Sequence, residues 1–309
     1  MRQAGNWVSG QENSASESRV DVILPAGGKI TGEFARIAGQ EIKALISLQN
    51  VTLLRRAIEV LRETGRIDRI VVVGPDATRA EAESAGADAA LPEGDSGPAN
   101  FFRGLDWLEQ NSASSAVSIN DGKKEHRVLI VATDLPFLTA DSIIRFLDAC
   151  PPDADISVPV MSQAAMEARF PALPGAYVPL IEGPITTGCA FLIRPEALRR
   201  NRARIEAIFA ARKNQLAMAR LLGFGFILRY VLRRLSVRDI ETQCCRILDC
   251  SGAAILDAAP ELAFDMDTPE EYEYAKSHAA EIENEIKNRE KNQAVENKEK
   301  SEVADYARN

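Results

Sequence analysis

An apolar run that stops at two glycines, with lysines behind them, gives this chain its best candidate for holding an anion. It reads Val20-Asp21-Val22-Ile23-Leu24-Pro25-Ala26-Gly27-Gly28-Lys29, followed later by Lys43-Ala44-Leu45. The run predicts a buried strand. Gly27 and Gly28 lack the Cβ that keeps a ligand from the backbone, so their N–H groups can face a phosphate chain at close range. Lys43 has polar residues before it and apolar ones after it, a context that buries the stem and extends the ammonium. A nucleotide is the anion that suits this arrangement.

Two better-known glycine motifs fail here. A dinucleotide fingerprint needs glycine at positions 27, 29 and 32, and position 29 is Lys29. A P-loop has the right separation between Gly27 and Gly32, but Glu33-Phe34 stands where Lys-Ser/Thr belongs. A nicotinamide-dependent dehydrogenase therefore rests on the strand-glycine-helix opening alone.

Carboxylates occur at two further places where they could act. Asp134 lies just past the buried run Arg127–Ala132, and open α/β sheets bind ligands at the carboxyl ends of their strands. A carboxylate there can hold Mg²⁺ through one oxygen, with water and phosphate completing the shell. Asp265 and Asp267 lie two positions apart on what reads as a strand end, and one of the two is read as the second ligand. Asp267 also precedes Thr268-Pro269-Glu270-Glu271, a helix start that it could cap. The two histidines, His126 and His278, fall in a polar excursion and in the tail. Attack on a phosphorus can proceed by positioning and charge neutralisation without them.

The elements that must carry these residues follow from the pattern. Val20–Leu24, Arg69–Val73 and Arg127–Ala132 are short apolar runs separated by helix-period segments, the mark of βαβ units and a parallel sheet. Leu53–Thr64 is the first crossover helix, closed by Gly65, and Thr78–Ala85 is a short one. Asp88–Leu91 reads as a strand, 92–100 as a loop, Phe101–Glu109 as a helix, and 111–125 as a polar excursion. Thr139 or Asp141 caps a helix to about Ala149. Beyond Ile156, strands at 156–160, 177–180 and 188–193 suggest a smaller subregion laid over the sheet. Helices at 195–211, 215–222, 226–235 and 237–248 exceed what the sheet needs, so 195–248 reads as an insertion, a lid or an interface, which keeps a homo-oligomer open.

Composition bounds the rest. The 309 residues are 46% hydrophobic and 27% charged, enough for one large domain over 20–275 between a disordered leader (1–19) and a charged tail (276–309). A formal net charge of −8 argues against nucleic acid and membrane surfaces as partners. No apolar stretch is long enough to span a membrane. The five cysteines read as reduced thiols of a cytoplasmic protein, with Cys244, Cys245 and Cys250 as buried apolar groups.

The loop 24–28, the segment 43–45, Gly97-Pro98, Asp134-Leu135-Pro136-Phe137-Leu138 and Asp265-Met266-Asp267-Thr268-Pro269-Glu270-Glu271, in this order, resemble the MobA-like nucleotidyltransferases. The resemblance spans 20–275. It implies a Rossmann-like (GT-A-like) three-layer α/β/α fold with a mostly parallel central sheet. It also implies Mg²⁺-dependent transfer of NMP from an NTP to a phosphorylated acceptor, with release of pyrophosphate. It carries Leu24, Ala26, Gly27, Gly28, Ser96, Gly97 and Asn100 over as nucleotide contacts, and Lys43 with Lys29 and Arg36 as catalytic cations. Asp134 with Asp265 or Asp267 would be the metal ligands. The offset of fifteen positions from Gly28 to Lys43 departs from the compact family loop. Thr186-Thr187-Gly188-Cys189 is similar to an acceptor-side strand, with Cys189 where several relatives have Asn, which argues against a sugar acceptor. A catalytically inactive nucleotide-binding or regulatory protein of the same fold is the alternative.

Overall fold

The computed structural model describes residues 19–111, 126–171, 173, 175–211 and 214–280. Most of the expected leader, excursion and tail (1–18, 112–125, 281–309) lies outside them. The first half runs β1 (Val20–Pro25), α1 (Gly32–Ala38), β2 (Ser47–Leu48), β3 (Val51–Thr52), α2 (Leu53–Glu63), β4 (Ile67–Gly74), α3 (Arg79–Ser84), β5 (Ala89–Pro92), α4 (Gly97–Gln110) and β6 (Val128–Val131). It continues with α5 (Ala140–Ala149), β7 (Ile156–Ser162), α6 (Gln163–Arg169), β8 (Val178–Leu180), β9 (Gly183–Thr187) and β10 (Ala190–Ile193). The remainder is α7 (Pro195–Arg200), α8 (Arg202–Ala211), α9 (Gln215–Leu222), α10 (Phe224–Val231), α11 (Val237–Leu248), β11 (Gly252–Ile255) and a last helix α12 over 269–280.

Nine strands form one sheet in the order β5-β4-β1-β6-β10-β7-β9-β8, with β11 on β7. The half that carries the glycine loop, β5-β4-β1-β6, is parallel throughout. Strand period 2 sorts its side chains. Val22, Leu24, Val72, Leu129 and Val131 pack with Leu54, Ile58 and Leu61 of α2 and Ile143 and Phe146 of α5. Ile23, Val71, Val73 and Ile130 pack on the other face with Phe102, Leu105 and Leu108 of α4. These are the three layers of a Rossmann-like α/β/α fold.

Several expectations are corrected. The strands beyond Ile156 do not form a subregion over the sheet; β10 pairs antiparallel with β6, and the ladder continues through β7 to β9 and β8. Strand β9, which carries Thr186-Thr187, was hidden by the glycine and proline at its start. Helix α4 begins at Gly97 rather than at Phe101, because the Ser96 side chain accepts from the Ala99 N–H and Pro98 sits in the first turn. His126 belongs to the sheet's other end: its Nε2 lies 2.7 Å from Asp21 Oδ2, beside the Arg69–Asp21 ion pair. Burial would raise the Asp21 carboxyl, but His126 and Arg69 outweigh it and hold its pKa low. Cys244 is exposed and Cys245 half-buried, since the buried positions of α11 are Val237 and Gln243, and Cys250 beyond the helix is half-buried too. Among the described residues no helix is long and apolar enough to cross a membrane.

Gly104 shows how closely α4 seats on β1. A Cβ there would lie 2.8 Å from Ile23 Cδ1 and 2.9 Å from its Cγ1, and Ile23 is fully buried. Overpacking of this kind costs about 1–3 kcal/mol, against a helix-propensity gain of about 1 kcal/mol. Gly104→Ala is therefore expected to lower the urea midpoint with an unchanged m-value; an equal or higher midpoint would contradict this packing.

Candidate active site

The site forms where β1 and β6 end. The Ala26 N–H donates to the Val73 carbonyl at 2.8 Å, and after it the chain leaves the sheet at Gly27 and Gly28. Gly27 lies against two side chains: an added Cβ would stand 2.6 Å from Glu93 Oε2, so that flexible carboxylate would have to swing aside, and 3.6 Å from Asn100 Nδ2. Beside Gly28 a Cβ would touch the Lys43 stem at 3.4 Å.

The long spacing between Gly28 and Lys43 is a closed excursion. The Lys43 N–H donates to the Gly28 carbonyl at 2.9 Å, the Ile30 N–H to the Glu41 carbonyl at 2.9 Å, and Lys29 bridges Ile42. Between these ends α1 turns Phe34 into a second apolar cluster with Ile46, Phe137, Phe264, Met266 and Tyr272. Gly39, at φ +65°, ends α1 in the left-handed conformation and sends the chain back. Lys43 thus returns beside the glycines despite the inserted residues.

There it meets the three carboxylates. Lys43 Nζ donates to Asp134 Oδ2 at 2.9 Å and also pairs with Asp267 Oδ1. One oxygen from each of Asp134, Asp265 and Asp267 lies within 4.8 Å of the others. The choice between Asp265 and Asp267 dissolves, because both reach the site. Residues 264–267 are an extended loop rather than a strand end. The Met266 N–H donates to the Asp134 carbonyl at 3.1 Å, and its side chain is fully buried, so the aspartates on either side project together. Asp267 is not the cap of α12. Thr268 Oγ1 accepts from the Glu271 N–H, while the Glu271 carboxylate accepts from the N–H groups of Asp267 and Thr268.

Three anions face one cation here. Burial pushes the Asp265 carboxyl up to about 6, and the neighbouring Asp134 and Asp267 push in the same direction. Burial alone would lower the Lys43 pKa, but Asp134 and Asp267 more than reverse that, so the ammonium stays charged. Burial and the same aspartates also raise the Cys189 thiol and keep it protonated. Hard oxygen donors around a residual negative charge suit a divalent cation such as Mg²⁺.

The other expected residues are placed less centrally. Lys29 reaches Glu93 at 3.2 Å, and Arg36 reaches Glu33 of its own helix at 3.7 Å, with both cations largely exposed. Ser96 is occupied as the cap of α4, and the Phe209 ring of α8 lies against Gly97, where a Cβ would come within 2.6 Å of it. Buried Asn100 accepts from the Gly94 N–H at 2.6 Å and borders Gly27. Leu24 is fully buried in the sheet core and Ala26 lies at its end. Glu93 was missed by sequence reasoning. It immediately follows β5, at the same carboxyl edge that singled out Asp134, and that rule could have found it.

In chelator, the Asp265 titration gives a signed expectation. Its folded pKa of about 6 lies above its ordinary 3.8, so the native state binds the proton more tightly. The stability linked to this group is greatest below pH 3.8 and falls as pH rises toward 6. Asp265→Asn should therefore be more stable than the parent above pH 6, by at most about 2–3 kcal/mol, with the gap closing toward pH 4. Thermal melts across that range check it, and a variant less stable at pH 7 contradicts it.

Residues 22–223 match the family model described as MobA-like NTP transferase domain. Among solved structures, a hypothetical transferase from Thermus thermophilus aligns with 82% of this chain and 99% of its own, at 28% identity and a TM-score of 0.69. Two structures of 4-diphosphocytidyl-2C-methyl-D-erythritol synthase align at lower similarity. One covers 84% of this chain and 98% of its own at 12% identity and a TM-score of 0.49. The other, from Anaerococcus prevotii DSM 20548, covers 85% and 97% at 10% identity and a TM-score of 0.48. No curated protein matches the chain.

Proposed function

The chain belongs to the family of MobA-like NTP transferase domains, a family of nucleotidyltransferases, and from that premise we propose its reaction and its machinery. It transfers NMP from an NTP to a phosphorylated small-molecule acceptor and releases pyrophosphate, with Mg²⁺ held by Asp134, Asp265 and Asp267. The observation that carries this reading is the convergence of Lys43 with three carboxylates beside Gly27 and Gly28.

An acceptor phosphate oxygen attacks the α-phosphorus, a new P–O bond forms, and the bond to the pyrophosphate oxygen breaks. The difficulty is electrostatic, since two anions must approach and charge grows on the leaving group. The Gly27 and Gly28 N–H groups cradle the triphosphate without side-chain interference. Lys43, held charged by its aspartates, exchanges part of that pairing for phosphate oxygens and neutralises the developing charge. Mg²⁺, when bound, supplies further neutralisation to those oxygens. Lys29 and Arg36 are exposed cations whose glutamate partners a phosphate can displace. Asn100, with Ser96 and Gly97 at the start of α4, borders the loop on the side where the base and ribose lie, and Glu93 offers a carboxylate to the base's N–H groups. The presence of three aspartates and the lysine in one site favours turnover over the inactive alternative.

The test is pyrophosphate release from each of the four NTPs with Mg²⁺ and a panel of phosphorylated acceptors. Asp134→Asn and Lys43→Met, each checked to be folded, are expected to lower turnover by about 10²-fold or more. Absence of release from the unmodified protein in every combination overturns the reading.

A further inference from the structure

Residues 207–238 contain seven Lys or Arg and no Asp or Glu, in a chain whose total charge is −8. Helix α10 sits within this basic stretch. Its Phe226 packs inward against Leu180, Leu235 and Val237, while Phe224, Leu228 and Val231 recur at helical spacing on the outside, continued by Leu232. Phe224 is 82% exposed and Val231 68%. Leu216 of α9 and Tyr230 are also exposed. Large apolar side chains in an unbroken stripe are unusual for a surface in contact with water alone.

The charges beside this stripe say what covers it. Arg229 pairs with Asp239, but among the described residues Arg220, Arg233, Arg234 and Arg238 have no ion-pair partner. Arginine stems can run along an apolar surface while their guanidinium groups reach outward to phosphates. An apolar stripe with a bulky ring, flanked by unpaired arginines, has the composition of a helix lying in the interface of an anionic bilayer. Two-fold self-association through the same face would set arginines against arginines. The net charge of the whole chain hides this local excess, and it was the chain average that argued against a membrane surface.

We propose that the α9–α10 face docks on an anionic lipid surface, with Phe224, Leu228, Val231 and Leu232 entering the headgroup region and Arg233 and Arg234 contacting lipid phosphates. The inference does not depend on the reaction proposed above.

The test is flotation of the full chain with vesicles of phosphatidylcholine alone and of phosphatidylcholine mixed with phosphatidylserine. Binding is expected only to the mixed vesicles, and it should weaken about tenfold or more on raising the salt. Two exposed-surface double variants, F224S/V231S and R233E/R234E, are expected to lose binding and keep the parent's thermal midpoint. Four results would each overturn the proposal: no flotation with mixed vesicles, equal flotation with neutral ones, unaltered flotation of both variants, or concentration-dependent self-association that these substitutions abolish while flotation is absent.

Discussion

Three carboxylates gathered around one ammonium set the terms for the rest of this molecule. Asp134, Asp265 and Asp267 repel one another, and Lys43 offsets only part of that repulsion. The backbone has to hold what electrostatics would separate. It does so through a staple at the end of the sheet: the Cys189 N–H donates to the Leu262 carbonyl at 2.7 Å, the Ala132 N–H to the Cys189 carbonyl at 2.9 Å, and the Met266 N–H to the Asp134 carbonyl at 3.1 Å. Gly188 makes the close approach feasible, since a Cβ there would lie 2.7 Å from the Leu262 oxygen. Charge held in an unfavourable arrangement before any ligand arrives is electrostatic preorganisation in its general sense.

The glycine loop depends on the same frame. Gly27 accommodates Glu93, just past β5, and Asn100 of α4, while Gly28 accommodates the stem of Lys43. Lys43 can stand there only because the α1 excursion closes on itself and anchors Phe34 in a cluster that also buries Met266. One aromatic-rich cluster therefore fixes the return of the lysine and the direction of the aspartate pair. Phe137, three residues after Asp134, stacks edge-on against Phe264, one residue before Asp265, with ring centres 4.8 Å apart. The three aspartates are positioned by their apolar neighbours as much as by their charges.

The elements legible in the sequence were those whose burial is set by their own pattern. β1, β4, β6, α2 and α5 are continuous apolar runs or strong helical stripes with ordinary caps, and the structure places them within a few residues of expectation. Asp134 was legible because position along a βαβ unit determines where a strand end faces, and Lys43 from its polar-to-apolar context and the family resemblance. What the pattern did not carry was partner choice among neighbours remote in sequence. Lys29 and Arg36 were read as phosphate cations, yet each lies against a glutamate, and one of these, Glu93, is sixty-four positions away. The pairing of β10 with β6, which merges the second half of the chain into the same sheet, is likewise a long-range event without a local signal. Asp265 and Asp267 were treated as competitors although residues two apart on a strand share a face, as these two do about the buried Met266.

The glycine loop, Lys43 and Asp134 are all made early in synthesis, whereas Asp265 and Asp267 come after every strand of the sheet and beyond the span that matches the family. A chain that stops before residue 265 has one carboxylate of the three and also lacks Met266 and Tyr272 from the cluster that anchors Phe34. The charge imbalance that defines the finished centre arises only when the last part of the domain folds back under β6. The site is thus complete only once residues 264–280 have been made, and shorter copies lack both the aspartate pair and part of the packing that returns Lys43.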